Sequence, residues 1–234
     1  MQIQVGARFN GPPGCGNGGY TCGLIASTLL DHTHERVKVR LTRPVPIETT
    51  LRIETNAAGT WDVFARDELI ATATADSLII DVPAAPSWIE AFGVSRHFAG
   101  FAHHNFPNCF VCGPARASGD GLRIFAAAVP GTGVLAAPWR PDASLADGEG
   151  YVRPEFIWAA LDCPGFYATC EPRIALLGEL SARVDRPVRA DDAHVVTAWK
   201  ISSSGRKHIA GTALFDAAGE CCAVAQATWI ELKQ

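Results

Sequence analysis

No run of apolar residues in this 234-residue chain approaches the roughly 18 to 20 that a helix needs to cross a bilayer. Residues 1–9 alternate polar and apolar side chains and do not form the apolar stretch of a secretory leader. Excess positive charge is missing as well, since 20 Lys and Arg face 24 Asp and Glu for a formal net charge of -4. A chain with that balance offers no basic field to a nucleic-acid backbone or an anionic leaflet. The expectation is a cytoplasmic protein with no nucleic-acid and no membrane partner. Disorder is excluded by the opposite observation: 48% of the residues are hydrophobic and 19% charged, which is enough to build a large core.

A disulfide framework is not expected either. The eight cysteines lie in a long chain without a leader, where cysteine behaves as a small buried hydrophobe. The one spacing that suits a metal is Cys109-x-x-Cys112, followed by Gly113 and preceded by His103 and His104. A second such pair is lacking, and a closed zinc site needs about four ligands. The segment therefore reads as a tight turn leading into a strand, with no metal expected.

What the chain does contain is an internal repeat. Residues 37–45 (Val-Lys-Val-Arg-Leu-Thr-Arg-Pro-Val) alternate as a strand and end in Arg-Pro-Val, and residues 180–188 (Leu-Ser-Ala-Arg-Val-Asp-Arg-Pro-Val) do the same. Beyond each lies a second strand-like run, residues 51–55 and 194–199, then a turn signal at Ala58-Gly59 and at Ser204-Gly205. Each half closes on alternating alanines, Ala71, Ala73 and Ala75 in the first and Ala223, Ala225 and Ala227 in the second. Small residues on one strand face let another element approach closely.

Upstream of each strand set lies one apolar helical segment. Residues 20–30 are entered through Gly14-Cys-Gly-Asn-Gly-Gly19, and residues 156–170 through Val152-Arg-Pro-Glu155, with proline where a first helical turn tolerates it. Both are apolar nearly all round, which predicts buried helices, and Gly165 after Pro164 predicts a bend or break in the second. The fold class is α+β, with two antiparallel sheets each wrapped around a central helix. The boundaries are residues 1–82 and 107–234 for the two units, joined by residues 83–106, which show little periodicity and read as a linker.

This duplicated arrangement resembles the hotdog fold in its tandem, double form. Asn108-Cys-Phe-Val-Cys-Gly-Pro114, followed by Gly119-Asp-Gly-Leu-Arg-Ile-Phe125, resembles the opening of many thioesterase-superfamily domains, where such a turn precedes the first strand. In the phenylacetate-pathway thioesterases and their relatives, the central helix begins with a His-Gly-Gly turn and carries an aspartate nine residues after that histidine. The turn offers backbone N–H groups at a helix N-terminus as an oxyanion hole, and the facing carboxylate activates water or attacks the carbonyl. Asn17-Gly18-Gly19 matches the turn with asparagine for histidine, but nine residues on stands Ala26. Ala160-Leu-Asp-Cys-Pro-Gly165 matches the aspartate context, but nine residues before Asp162 stands Arg153. Each half keeps what the other lacks, so the resemblance implies one complete site and one degenerate site.

On that reading the chain hydrolyses an acyl-CoA or acyl-carrier thioester, with Gly18 and Gly19 on the oxyanion and Asp162 as base or nucleophile. Asn17, Tyr20, Ser27, Arg153, Glu155 and Trp158 are the substrate-binding candidates. Coenzyme A enters only as part of the substrate, with no other cofactor. The competing reading is a non-catalytic acyl-thioester or lipid-binding module of the same fold. Each residue also has a structural role to weigh: a lone carboxylate in an apolar helix caps a turn or pairs with an arginine such as Arg153, Glu155 satisfies a helix N-terminus, and helix hydroxyls bond the preceding turn. Trp139, Trp158 and Trp229 read as core or pocket wall. The Asp-x-Asn-Pro-x-His pattern that hydratases of this fold resemble is absent. A monomer is complete in such an arrangement, and a homodimer through sheet edges is compatible with it.

Overall fold

A computed structural model describes residues 1–34 and 36–233. The elements run β1 (Gln2–Gln4), α1 (Gly18–Thr33), β2 (Val37–Leu41), β3 (Thr50–Thr55), β4 (Trp61–Ala65), β5 (Glu68–Ala75), α2 (Trp88–Ser95), β6 (Ala127–Ala128), β7 (Val134–Trp139), α3 (Pro154–Ala160), α4 (Cys163–Thr169), β8 (Ala175–Val184), β9 (His194–Ser204), β10 (Lys207–Phe215) and β11 (Cys221–Glu231). Among the described residues no helix is long and apolar enough to cross a membrane.

All the strands pair antiparallel in one sheet, in the order β1-β3-β4-β5-β2-β8-β11-β10-β9-β7-β6. Where two sheets were expected there is one, because β2 pairs with β8 through Lys38↔Ser181, Val39↔Leu180 and Arg40↔Glu179. Both strands alternate inward and outward side chains, so their open edges fuse without moving Val39 or Leu180 off the core face. Outward from this seam the chain order is β2, β5, β4, β3, β1 on one side and β8, β11, β10, β9, β7, β6 on the other. The alanines at 71, 73, 223, 225 and 227 are fully buried.

Backbone hydrogen bonds repeat across the seam. Arg43 N–H donates to Ile70 O and Arg186 N–H to Cys222 O. Gly16 N–H donates to Val45 O and Val152 N–H to Val188 O, while Asn17 N–H donates to Phe9 O and Arg153 N–H to Leu145 O. Asn17 and Arg153 are then the N-caps of α1 and α3.

α1 packs on α3 and lies over β2 and β8, while α4 lies over β7, β9 and β10. The α1–α3 approach depends on two glycines one turn apart. A Cβ on Gly19 would lie 2.4 Å from the Asp162 Cβ and 2.9 Å from Trp158 O, and one on Gly23 would lie 2.8 Å from the Cα of Glu155. α1 ends where His34, at φ 60, donates its N–H to Leu30 O.

Two local expectations are corrected, and a third, the break in the second apolar segment, is met. The linker contains a helix, α2, started by a capping box in which the Ser87 side chain accepts from Glu90 N–H and the Glu90 side chain accepts from Ser87 N–H. The segment 156–170 is two helices, broken at Leu161 and Asp162 ahead of Pro164, which has no N–H to continue the ladder. Residues 119–125 form no strand, although Leu122 and Ile124 N–H groups bond Phe110 and Val111 carbonyls. Those bonds tie the segment to the Cys109–Cys112 turn and leave no long ladder to pair with a strand.

Candidate functional site

The break between α3 and α4 determines where Asp162 points. Freed from the helical ladder at φ -87 and ψ -83, Asp162 turns its carboxylate toward the start of α1. Its Oδ2 accepts from the Gly19 backbone N–H at 2.9 Å and from Asn17 Nδ2 at 2.9 Å. Asn17 serves both sides at once, because its Oδ1 accepts from Tyr20 N–H at 2.9 Å and so caps α1. An amide is required for this, since a carboxylate at 17 has no donor to offer Asp162.

Asp162 is 2% exposed, and its Oδ1 is buried with no hydrogen-bond partner. Burial pushes its pKa up to about 7, against the opposing pull of the Gly19 and Asn17 hydrogen bonds. Asp162 therefore has one oxygen held and one oxygen unengaged.

Beside this carboxylate opens a cavity of about 280 Å³, lined by Gly16, Asn17, Gly18, Asp162, Phe166, Tyr167 and Trp229 among others. Most of its wall is apolar. The Trp229 indole N–H is buried without an acceptor. Gly18, at the first position of α1, has an N–H with no intrahelical acceptor.

Of the sequence-derived candidates, the structure brings Asn17, Gly18, Gly19 and Asp162 together, and three of them (Asn17, Gly18 and Asp162) line the cavity. The Gly19 amide, expected to face an oxyanion, is instead taken by Asp162. The others do not reach the cavity lining. Tyr20 stacks on Phe9 with centroids 4.2 Å apart, and burial, reinforced by Glu155, pushes its phenol up to about 12. Ser27 Oγ donates back to Gly23 O at 2.8 Å. Arg153 lies over the Phe156 ring and 3.6 Å from Glu155, and Trp158 is core beside Gly23. Each of these side chains is engaged within its own neighbourhood.

Sequence reasoning missed Cys163 and Tyr167, and named His104 only as a neighbour of the Cys109-x-x-Cys112 spacing. Cys163 starts α4 and brings its sulfur to 3.6 Å from Cys109 Sγ, and with Cys112 the three sulfurs lie within 4.8 Å of one another. These are the residues that could hold a metal. Hydrogen bonds from the thiols of Cys112 and Cys163 hold the Cys109 thiol well below its ordinary range. His104 Nδ1 accepts from Phe106 N–H at 3.0 Å, while its Nε2 is buried without a partner. Its proximity in sequence to Cys109 and its place on the cavity wall were the available signals.

No protein-family model matches the sequence, and no curated protein matches it. Solved structures do. The chain superposes on the tesB protein of Mycobacterium avium subspecies paratuberculosis with a TM-score of 0.62 at 15% identity, covering 98% of this chain and 91% of that one. A protein from Novosphingobium aromaticivorans assigned as a thioesterase gives 0.63 at 14% identity, over 99% of this chain and 95% of the other. One from Lactobacillus plantarum assigned as an oleoyl thioesterase gives 0.59 at 10% identity, over 100% and 96%. Likeness at these identities is a likeness of fold: the chain shares its fold with proteins of the thioesterase superfamily.

Proposed function

We propose that this chain is a tandem hotdog hydrolase of acyl thioesters, with one site formed between the start of α1 and the α3–α4 break. The units would be residues 1–82 and 107–234, and residues 83–106, which carry α2, would join them. The observation that carries the reading is the Asp162 carboxylate, on a residue that lines an apolar cavity, anchored through one oxygen at the N-terminus of α1 and with the other unengaged.

The thioester carbonyl would enter that cavity with its oxygen toward the Gly18 N–H, where the helix dipole favours developing negative charge. Asp162 Oδ1 would take a proton from water as the water oxygen bonds to the carbonyl carbon. As the C–S bond breaks, the proton passes to the departing sulfur, giving an acid and a thiol. At about 280 Å³ the cavity is at the small end of ligand pockets, which favours a compact acyl group over a long chain. The thiol-bearing part would extend outside, coenzyme A or an acyl carrier being the two sources.

One observation favours a second reading, acyl-thioester binding without chemistry: the Gly19 amide is engaged by Asp162, leaving one fewer donor for an oxyanion. A panel of acyl-CoAs assayed with a thiol-reactive dye separates the two. Hydrolysis predicts thiol release that Asp162→Asn reduces by about a hundredfold or more. Absence of release from the parent chain, with an acyl-CoA raising its melting temperature, makes it a binding protein.

A further inference from the structure

The three cysteine sulfurs beside the cavity have no part in thioester hydrolysis, yet they are arranged with care. Cys109 and Cys112 sit on a turn closed by Gly113 N–H donating to Cys109 O at 2.9 Å. A Cβ on Gly113 would come within 2.5 Å of the Cys109 and Pro107 carbonyl oxygens, so only glycine lets the turn fold this tightly. Cys163 is delivered from the other direction, at the first residue of α4. The three residues are 4%, 4% and 8% exposed, and all three line the cavity.

We infer that Cys109, Cys112 and Cys163 form a binding site for a thiophilic metal ion, zinc, with the fourth coordination position open to the cavity. Tetrahedral zinc–thiolate bonds of about 2.3 Å place sulfurs roughly 3.8 Å apart. The Cys109–Cys163 separation of 3.6 Å and the 4.8 Å limit on all three pairs leave little to rearrange. Donors already converge on these sulfurs. The backbone amides of Val111 and Cys112 hydrogen-bond to Cys109 Sγ, and Asn17 Nδ2 lies 3.8 Å from Cys109 Sγ and 3.9 Å from Cys163 Sγ. Such outer-shell donors spread the negative charge of a metal–thiolate group. Soft thiolates select zinc over the hard cations. Three protein ligands with one open corner is the arrangement zinc adopts where it meets small molecules.

Two sulfurs suffice for a disulfide, and a third at equal range has no role there. His104 Nε2 is not among the atoms grouped with the sulfurs, so it is not counted as a ligand. Binding would displace the remaining thiol protons to solvent and leave a group of net charge -1. Asp162 borders the same cavity, so an ion there would share its wall with the carboxylate. The inference stands apart from the hydrolase reading and is read out without any turnover assay.

The test uses the full chain, purified under reducing conditions from zinc-supplemented cells and analysed for metal. Equimolar zinc is expected. After chelation, cobalt(II) should restore equimolar binding with intense visible bands and thiolate-to-cobalt charge transfer, and an exogenous thiol should shift the bands by entering the open corner. Single Cys109→Ser, Cys112→Ser and Cys163→Ser variants should each lose more than the roughly 10- to 100-fold in affinity that outer-shell losses cost. Cys22→Ser and Cys222→Ser, also buried but outside the cluster, should bind as the parent does. Where a variant does not fold, the cobalt titration of the parent decides alone. Reduced parent protein that takes up neither zinc nor cobalt overturns the inference, and so does protein whose metal survives all three substitutions. Bands that ignore added thiol overturn the open corner.

Discussion

The starts of α1 and α3 occupy matching places on either side of the seam, with the same backbone hydrogen bonds leading into them, and they have opposite contents. At the start of α1, the cap is an asparagine, the next residues are glycines, and the facing position carries Asp162 beside a cavity. At the start of α3, the cap is Arg153 with no side-chain cap bond, the next residues are Pro154 and Glu155, and Ala26 stands where the carboxylate would be. Phe9, Tyr20, Phe110 and Phe156 form a ring cluster that joins the start of α1 to the start of α3. The backbone frame is thus insufficient to make a site. Small residues open the space and a broken helix aims the acid at the start of α1, and the start of α3 has neither glycines nor a facing carboxylate.

The sharpest way to break this comparison is to remove the acid at each end in turn. Asp162→Ala should lower thiol release by about 10²- to 10⁴-fold, the range of acid–base contributions, while Glu155→Gln should leave it within about threefold. Equal losses would mean that the two ends are functionally alike. Next in size are the helix glycines. Gly19→Ala and Gly23→Ala each force a Cβ into the α1–α3 contact and should cost about 1–3 kcal/mol, seen as a melting shift of roughly 2–4 °C per kcal/mol. Gly19→Ala should also slow turnover, because its Cβ meets Asp162, whereas Gly23→Ala should act on stability alone.

The caps give a smaller contrast. Asn17→Ala should destabilise by about 0.5–2 kcal/mol, and Arg153→Ala, an exposed ion-pair change, by less than about 1 kcal/mol; denaturant midpoints measure both. Ser27→Ala should have the least effect, within about 0.5 kcal/mol and with no effect on thiol release, since its hydroxyl bonds only its own helix. A loss of thiol release in Ser27→Ala would place that side chain nearer the chemistry than its hydrogen bond allows.

How much of this was legible in the sequence follows from the range of each interaction. Most strands and the first apolar helix are written in local alternation and appear near where they are expected, although β8 lies at 175–184 and residues 119–125 form no strand. α2 was legible too, in Ser87 and Glu90 three residues apart, but a low-periodicity stretch hid it. The fusion of β2 with β8 has no local signature, because edge pairing depends on which strands the fold leaves open. Cys163 could not be joined to Cys109 and Cys112 by spacing, since 54 residues separate it from Cys109 and only the turn out of α3 brings them together. Ser27, Arg153 and Glu155 were legible as polar side chains near the expected helices, and the structure engages them within their own turns.

The seam between β2 and β8 has one consequence for how such a molecule can change. In an assembly of identical subunits, every substitution is copied to both ends of the helix pair, so an end can be emptied of function only by emptying both. Here the two ends are read from separate stretches of a single polypeptide and are locked in register by Lys38, Val39 and Arg40 against Ser181, Leu180 and Glu179. One end is therefore free to lose its acid while the other keeps one, and that asymmetry is inherited with every copy of the chain.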